Sequence, residues 1–377
     1  MSKCRVLIDC SELNFENFSG VRTYALGITQ ALIINDKVKC TVVIKYGNAR
    51  FLHESISGLS HNQIIELPEI NWFVKVLIRA CVLVGARKKF LKLKSNYAYK
   101  VLRNIDFDLV YVPTTYLNYN FADTKSVVSL HDIQHKDLPK NFSFFERKYR
   151  DFRTLASLEN ASVIHVSSNF VKETIANHYP NVFKESACVV IPEGVDIDRF
   201  RTRKSSKNRQ LLFPAMPWKH KNHEVLFQAL QHLDNEKALK IIVTGASKMD
   251  FRKFSDRQDP MIDFRGVVSN DELNELYGSS FAVLSCSNYE SSSLPILEGI
   301  AAGCLILASD IKAHREMAEL FEIILFDQNN SHDLAKKIMT LINIYDSRQL
   351  ITNRNVDFIR ERTWSSISDK LITGMDC

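Results

Sequence analysis

The stretch SSFAVLSCSNYESSSLPILEGIAAGCLILAS, Ser279–Ser309, sets the fold class. SSFAVLSCS, Ser279–Ser287, is a short apolar run of β-formers and reads as a buried strand. Pro295 suits a first helical position, where its missing N–H has no partner to lose. PILEGIAA then reads as a helix, and Gly303 is placed to end it. CLILAS, Cys304–Ser309, is a second buried strand. The piece is therefore strand–loop–helix–strand. Glu290 closes the strand side, Ser291 to Ser293 fill the loop, and Glu298 lies one turn inside the helix. Amides at a helix start form an anion site, and small serines let a ligand approach that backbone. A carboxylate beside a bound anion and another a turn away suit a phosphorylated sugar with hydroxyls to hold. An ordinary surface loop would carry the same serines, because helix starts favour them.

The same alternation runs outward in both directions. CRVLIDC, CTVVIKY, FDLVYVP, KSVVSLHD, NASVIHVSS and ACVVIPEG read as strands, with helices GVRTYALGITQALII and NFVKETIANHY among them. The polar, basic segment DIDRFRTRKSSKNRQ then reads as a linker. Alternation restarts with QLLFPA, NHEVLFQALQHL, LKIIVTG, IDFRGVV and NDELNELYGS. Such a pattern implies parallel sheets covered by helices. The expected fold is α/β, with two doubly wound Rossmann-like domains facing a cleft and ligands at the carboxyl ends of strands. The expected boundaries are residues 1–198, a linker over 199–209, a second domain over 210–345, and a helical tail over 346–377 that packs back toward the first domain.

Composition agrees with a two-domain globular chain. It has 377 residues, 45% of them hydrophobic, and a net charge of +6. The eight cysteines are scattered without a CxxC pair, so neither a zinc site nor a disulfide framework is supported. A cytoplasmic setting is the simpler expectation. The N-terminus reads as a strand with a charged start, and no apolar run is long enough to span a bilayer. From Lys75 to Arg103 there are nine Lys or Arg and no acid. Trp72, Phe73, Val76, Leu77, Phe90, Leu91 and Leu93 are interleaved with them. That pattern reads as a membrane-surface element, with Arg87, Lys88, Lys89 and Lys92 at its centre. A solvated helix face packed on the core would look the same. Nucleic acid is not expected, since no binding motif accompanies the charge.

Three further spots carry chemistry. Gly20, in FSGVRTY, lies between the first strand and first helix, where backbone can approach a phosphate. His131 and Asp132, in SLHDIQHKD, follow a strand's carboxyl end, where a histidine can hold a sugar hydroxyl or a proton. Lys219 and Lys221, in PWKHKNH, precede a helix and together with its start can neutralise a diphosphate. Each spot alone also fits an ordinary turn.

In their order along the chain, SGVRTY, LHD, VIPEGVD, HKN, FRGVVSNDELNELY and ESSSLPILE resemble the family 4 glycosyltransferases of GT-B architecture. ESSSLPILE is similar to that family's E-x7-E signature. The resemblance implies transfer of a hexose-type sugar from a nucleotide-diphosphate donor, with retention at the anomeric carbon and no required metal or other cofactor. It implies that Glu290 lies by the donor sugar and that Glu298 binds the ribose. Amides of Ser292, Ser293 and Leu294 would cradle the diphosphate, and Lys221 would neutralise the leaving phosphate. His131 would contact the sugar or the acceptor hydroxyl, Gly20 would approach the donor, and backbone at Val267 and Val268 would meet the base. The implied acceptor is a glycan, lipid-linked, at the inner face of a membrane with an anionic surface.

Two positions depart from the family pattern. Met216 stands where an arginine is usual, so either Lys219 supplies the charge or the chain belongs to a subgroup with a W-x-H-K-N-H loop. Ser293 replaces a glycine, which requires that its φ stay negative. An epimerase or hydrolase of sugar nucleotides on the same scaffold, and a non-catalytic sugar-nucleotide-binding protein, are the alternative readings.

Overall fold

The computed structural model describes residues 3–15, 19–121, 124–201, 207–233, 239–245, 247–251, 261–347 and 353–375. It comprises two compact units, Met1–Gly194 with Trp364–Cys377, and Val195–Thr363.

Unit 1 holds β1 (Cys4–Asp9), β2 (Val38–Lys45), β3 (Ile64–Leu67), β4 (Leu109–Val112), β5 (Lys125–Ser129), β6 (Val163–Val166) and β7 (Cys188–Val190). They form one sheet in the order β3-β2-β1-β4-β5-β6-β7, every pair parallel. Unit 2 holds β8 (Asn208–Pro214), β9 (Lys240–Thr244), β10 (Ile262–Gly266), β11 (Ser280–Ser285), β12 (Leu305–Ser309) and β13 (Ile324–Phe326). Their order is β10-β9-β8-β11-β12-β13, again all parallel. Parallel neighbours cannot be joined by a hairpin, so each connection crosses over a sheet face. In both sheets the first strand lies inside and the order reverses beside it, between β1 and β4 and between β8 and β11. Crevices for ligands open at such reversals, outside the carboxyl ends.

Local sequence explains the central unit. All six residues of β11 are buried, as a parallel strand covered on both faces requires. The next helix is Leu294–Ala301, so Pro295 takes its second position rather than its first. Gly299 lets that helix press onto the sheet: a Cβ there would lie 2.8 Å from Val283 Cγ2 and 2.9 Å from Ile306 Cδ1. Gly303, at φ +70°, then turns the chain out of the helix in the left-handed conformation that glycine adopts without strain.

The boundaries differ from the sequence-based ones. Helix Ile197–Arg201 belongs to unit 2, because Ile197 and Phe200 are buried in its core and Phe200 meets the Tyr277 ring at 5.3 Å. β8 begins at Asn208. Of the expected 199–209 linker, residues 202–206 lie outside the described residues, as do 348–352 of the tail. Within that tail, helix Asn353–Arg360 falls in unit 2 and helix Trp364–Gly374 in unit 1. The latter packs on helix Gly20–Ile34 through Trp364, whose ring sits where Cβ atoms of Gly27 and Gly194 would be, at 2.3 and 2.6 Å.

Cys10, Cys40, Cys81, Cys188, Cys286 and Cys304 are free and buried. Cys4 is disulfide-bonded, a cross-link its spacing did not announce. Among the described residues no helix is long and apolar enough to cross a membrane.

Gly27→Ala should lower the thermal midpoint, although alanine is the better helix former by about 1 kcal/mol. Overpacking against Trp364 costs about 1–3 kcal/mol. Adding Trp364→Leu to Gly27→Ala should cost less than the sum of the two single changes. Strict additivity would refute the docking described.

Candidate functional site

The carboxyl ends of β8 and β11 bring the two predicted halves of the unit 2 site together. The chain leaves β8 into the turn Lys219–Lys221, and Asn222 follows in the left-handed region at φ 49° and ψ 50°. Asn222 Nδ2 donates to Asn288 Oδ1 at 3.1 Å and to the Gln328 carbonyl at 3.0 Å. The Asn288 amide donates to the His220 carbonyl at 2.7 Å. These bonds fasten the lysine turn to the loop after β11. Lys221 Nζ then donates to Glu290 Oε1 at 2.6 Å, and Ser287 Oγ donates to the same oxygen at 2.6 Å. Both side chains are largely buried, at 14% and 12% exposure. Burial alone would raise the Glu290 pKa, but the Lys221 and His220 charges and the two hydrogen bonds bring it below the ordinary value.

Glu298 is held differently. Tyr277 OH donates to its Oε2 at 2.7 Å. Burial pushes its pKa up, against that bond and the Arg199 charge. Each carboxylate thus engages the protein through one oxygen. Among the described residues no protein donor reaches Glu290 Oε2 or Glu298 Oε1.

Ser293 caps helix Leu294–Ala301 at φ −142°, so the serine meets the backbone requirement that its sequence position raised. Its Oγ is buried without a protein hydrogen-bond partner. Ser292, Ser293 and Leu294 therefore lead into an eight-residue helix in which Pro295 has no N–H and the Ile296 and Leu297 amides donate to the Ser293 carbonyl at 3.0 and 3.2 Å. Lys219 is exposed. Met216 lies toward Gly245 at the end of β9: a Cβ on Gly245 would meet its Sδ at 3.0 Å. Val267, exposed, and Val268, half-buried, follow β10 at the sheet edge. With strands about 4.8 Å apart, β10 lies about 10 Å from β8, the scale of a nucleoside reaching from base to diphosphate.

In unit 1, Gly20 opens helix Gly20–Ile34, capped by Ser19 Oγ accepting from the Arg22 amide at 3.2 Å. His131 follows β5 and is buried at 5% exposure. Its Nε2 donates to the Pro113 carbonyl at 2.8 Å, and its ring stands edge-on to Tyr24 at 4.7 Å. Burial pushes its pKa down. His131 is therefore a neutral imidazole with its lone pair on Nδ1.

The basic stretch divides at Gly85, φ +70°, into helices Trp72–Leu83 and Arg87–Leu102. Trp72, Phe73, Val76, Leu83 and Val84 are exposed, as are Lys88, Lys89 and Lys92. Two expectations need correction. Phe90 and Leu91 face the core. Arg87 is an internal tie, donating through Nε and Nη2 to Glu159 at 2.8 and 2.6 Å. Helix amphipathicity placed these residues on the inward stripe, which a count of charges does not register.

A family model described as glycosyl transferases group 1 matches residues 195–356, and one described as glycosyltransferase family 4 matches residues 18–199. Between them the two models span residues 18–356, and the chain is a glycosyltransferase whose second half matches the group 1 model. Its similarity to the O-antigen chain mannosyltransferase RfbU of Salmonella typhimurium is 27% identity over 194 residues, 50% of this chain and 53% of that protein. The matched part thus spans about half the length of that curated relative. Among solved structures, HepE of Anabaena in complex with UDP and glucose superposes at a TM-score of 0.70 with 15% identity, covering 99% of both chains. A glycosyltransferase from Rickettsia africae ESF-5 superposes at 0.69 with 17% identity, covering 100% of this chain and 98% of the other. These likenesses show the GT-B fold of this glycosyltransferase.

Ser287, Asn222 and Tyr277 were not anticipated. Asn222 stood inside the HKN motif and Tyr277 at the end of FRGVVSNDELNELY, whereas Ser287 carried no spacing signal.

The Glu290 carboxylate gives a pH signature. Its folded pKa lies below the unfolded 4.5. The stabilisation is complete above the unfolded value and is lost as pH falls through the folded one. The thermal midpoints of wild type and Glu290→Gln should therefore converge as pH falls below 4.5. Parallel curves would show that the pair contributes nothing pH-linked.

Proposed function

We propose that this glycosyltransferase moves a hexose-type sugar, with retention, from a nucleoside-diphosphate donor bound in unit 2 to a hydroxyl of a lipid-linked glycan in polysaccharide assembly. The observation that carries the reading is the Lys221–Glu290 contact at the β8/β11 reversal, 2.6 Å long and largely buried. An ammonium has three N–H groups. One serves Glu290, which leaves two for diphosphate oxygens as charge builds on the leaving group. Glu290 Oε2 remains for a donor-sugar hydroxyl or for the positive charge developing at the anomeric carbon. Glu298 Oε1 would accept from a ribose hydroxyl, with Tyr277 fixing the other oxygen. Amides of Ser292, Ser293 and Leu294 would cradle the diphosphate, with Lys219 adding charge, and Val267 and Val268 would flank the base. His131 Nδ1, a lone pair in a dry setting, suits an acceptor or sugar hydroxyl, and Gly20 keeps the adjoining helix start open to a ligand. The similarity to an O-antigen chain mannosyltransferase and to a protein solved with UDP and glucose supports the glycan acceptor and the nucleotide donor.

The test is a thermal-shift screen of UDP-, GDP-, ADP- and dTDP-sugars, followed by transfer assays with the donor that stabilises. Glu290→Gln and Lys221→Ala should each lose more than about tenfold in turnover, since one such electrostatic contact is worth roughly 3 kcal/mol. Transfer should persist in EDTA, because Lys221 and the helix start carry the neutralisation. Near-wild-type turnover in either variant, or loss in EDTA restored by manganese, would overturn the mechanism.

The acceptor reading includes an anionic membrane surface, met by helices Trp72–Leu83 and Arg87–Leu102 and hence at the inner face of a membrane. The exposed Trp72, Phe73, Val76 and Leu83 supply apolar insertion. Lys88, Lys89 and Lys92 each gain up to about 1 kcal/mol near anionic lipid. The protein should co-sediment with phosphatidylglycerol-containing vesicles at low salt and not with pure phosphatidylcholine. Charge reversal at the three lysines should release it. Wild-type protein left in the supernatant would sink the membrane reading and favour a soluble acceptor.

A further inference from the structure

His314 stands in the short helix Lys312–Ala318 after β12 and is 0% exposed. Its Nδ1 lies 2.8 Å from the Ser309 carbonyl oxygen. A carbonyl only accepts, so Nδ1 carries the proton and Nε2 presents a lone pair. Burial pushes the ring's pKa down, which keeps it neutral. Nε2 is buried and has no hydrogen-bond partner in the protein. Buried acceptors of native proteins are nearly always paired, so a donor group belongs there.

The surroundings indicate which one. β12 pairs with β11, with Ala308 opposite Ser285. Ser309 Oγ donates to the Ser287 carbonyl at 2.5 Å, and Ser287 Oγ donates to Glu290. The ring also lies in the fields of Glu290 and Lys221. It is therefore built into the same constellation as the proposed donor site. A diphosphate is the wrong partner, because ionised phosphate oxygens have no proton to give. The base is too far away: β10, where Val267 follows, is four strand spacings from β12, roughly 19 Å. The ribose is taken by Glu298. What remains of a sugar nucleotide is the hydroxyl-bearing sugar.

We infer that His314 Nε2 accepts a hydrogen bond from a hydroxyl of the donor sugar and so helps select that sugar. The inference rests on unit 2 being the donor site. His314 would be a binding residue beside Glu290.

The test compares a nucleoside diphosphate with its sugar conjugate on the full chain by titration calorimetry. The pairs are UDP with UDP-glucose and GDP with GDP-mannose, and the pair that wild type binds is carried forward. His314→Asn keeps an amide N–H to donate to the Ser309 carbonyl and removes Nε2. Its affinity for the diphosphate should stay within about twofold, while the sugar nucleotide should bind about tenfold more weakly, the loss of one hydrogen bond. His314→Gln puts an amide oxygen near the lost nitrogen and should recover part of that loss. Diphosphate binding by both variants reports that they are folded. Equal weakening for both ligands, or none for either, would overturn the role of His314. If wild type binds none of UDP, GDP, ADP and dTDP, the donor reading itself falls, and this inference with it.

Discussion

Every strand in both sheets runs the same way, and most other features follow from that. A parallel neighbour is reached only by crossing a face of the sheet, so strand ends and helix starts collect along one edge. Strand ends there present loops, and helix starts present unpaired amides. Where the strand order reverses, between β8 and β11, neighbouring connections leave toward opposite faces and open a gap. The lysine turn enters that gap from one side and Glu290 from the other. Neither the loop sequence nor the helix alone would bring an ammonium and a carboxylate to 2.6 Å.

Holding a buried ion pair is costly, because desolvation offsets much of the attraction. The scaffold around Lys221 and Glu290 is correspondingly rigid. Asn222 accepts a left-handed backbone that few side chains other than Asn tolerate, and its amide ties two loops at once. Gly299 lets the Leu294–Ala301 helix, which follows Glu290 in the chain, sit close against β11 and β12. Preorganisation of this kind is what electrostatic stabilisation of a leaving group demands.

The sequence made the buried strands and the amphipathic helices legible, because both carry a hydrophobic period. GVRTYALGITQALII coincides with helix Gly20–Ile34, and NDELNELYGS with helix Asn270–Ser279. Two edge strands were missed. β3 and β13 have four and three residues, too few to show alternation, whereas the equally short β7 was read within the longer run ACVVIPEG. Glu290, Glu298 and Lys221 stood in motifs of fixed spacing. His314 did not, since its place after β12 is set by hydrogen bonds to Ser309 that no spacing encodes. Arg87 failed for the converse reason: its charge was visible, but its partner Glu159 lies 72 residues away.

The carboxylates at the two reversals show how a structural group differs from one waiting for a ligand. In unit 1, Asp9 Oδ1 accepts from the Ser11 amide and Tyr119 OH, and Oδ2 accepts from Asn118. Glu12 has Arg153 on both oxygens and Lys94 on one, and despite burial these cations hold its pKa at about 2. Both oxygens of each group are engaged by protein donors, and they brace the loops after β1 and β4. In unit 2, Glu290 and Glu298 are as deeply placed, yet each is fastened by one oxygen only. The second oxygen of each carboxylate is not among the buried partnerless atoms, so water can reach it and a ligand hydroxyl could replace that water. That spare capacity, absent from the more heavily charged cluster of unit 1, is what supports the proposed donor site in unit 2.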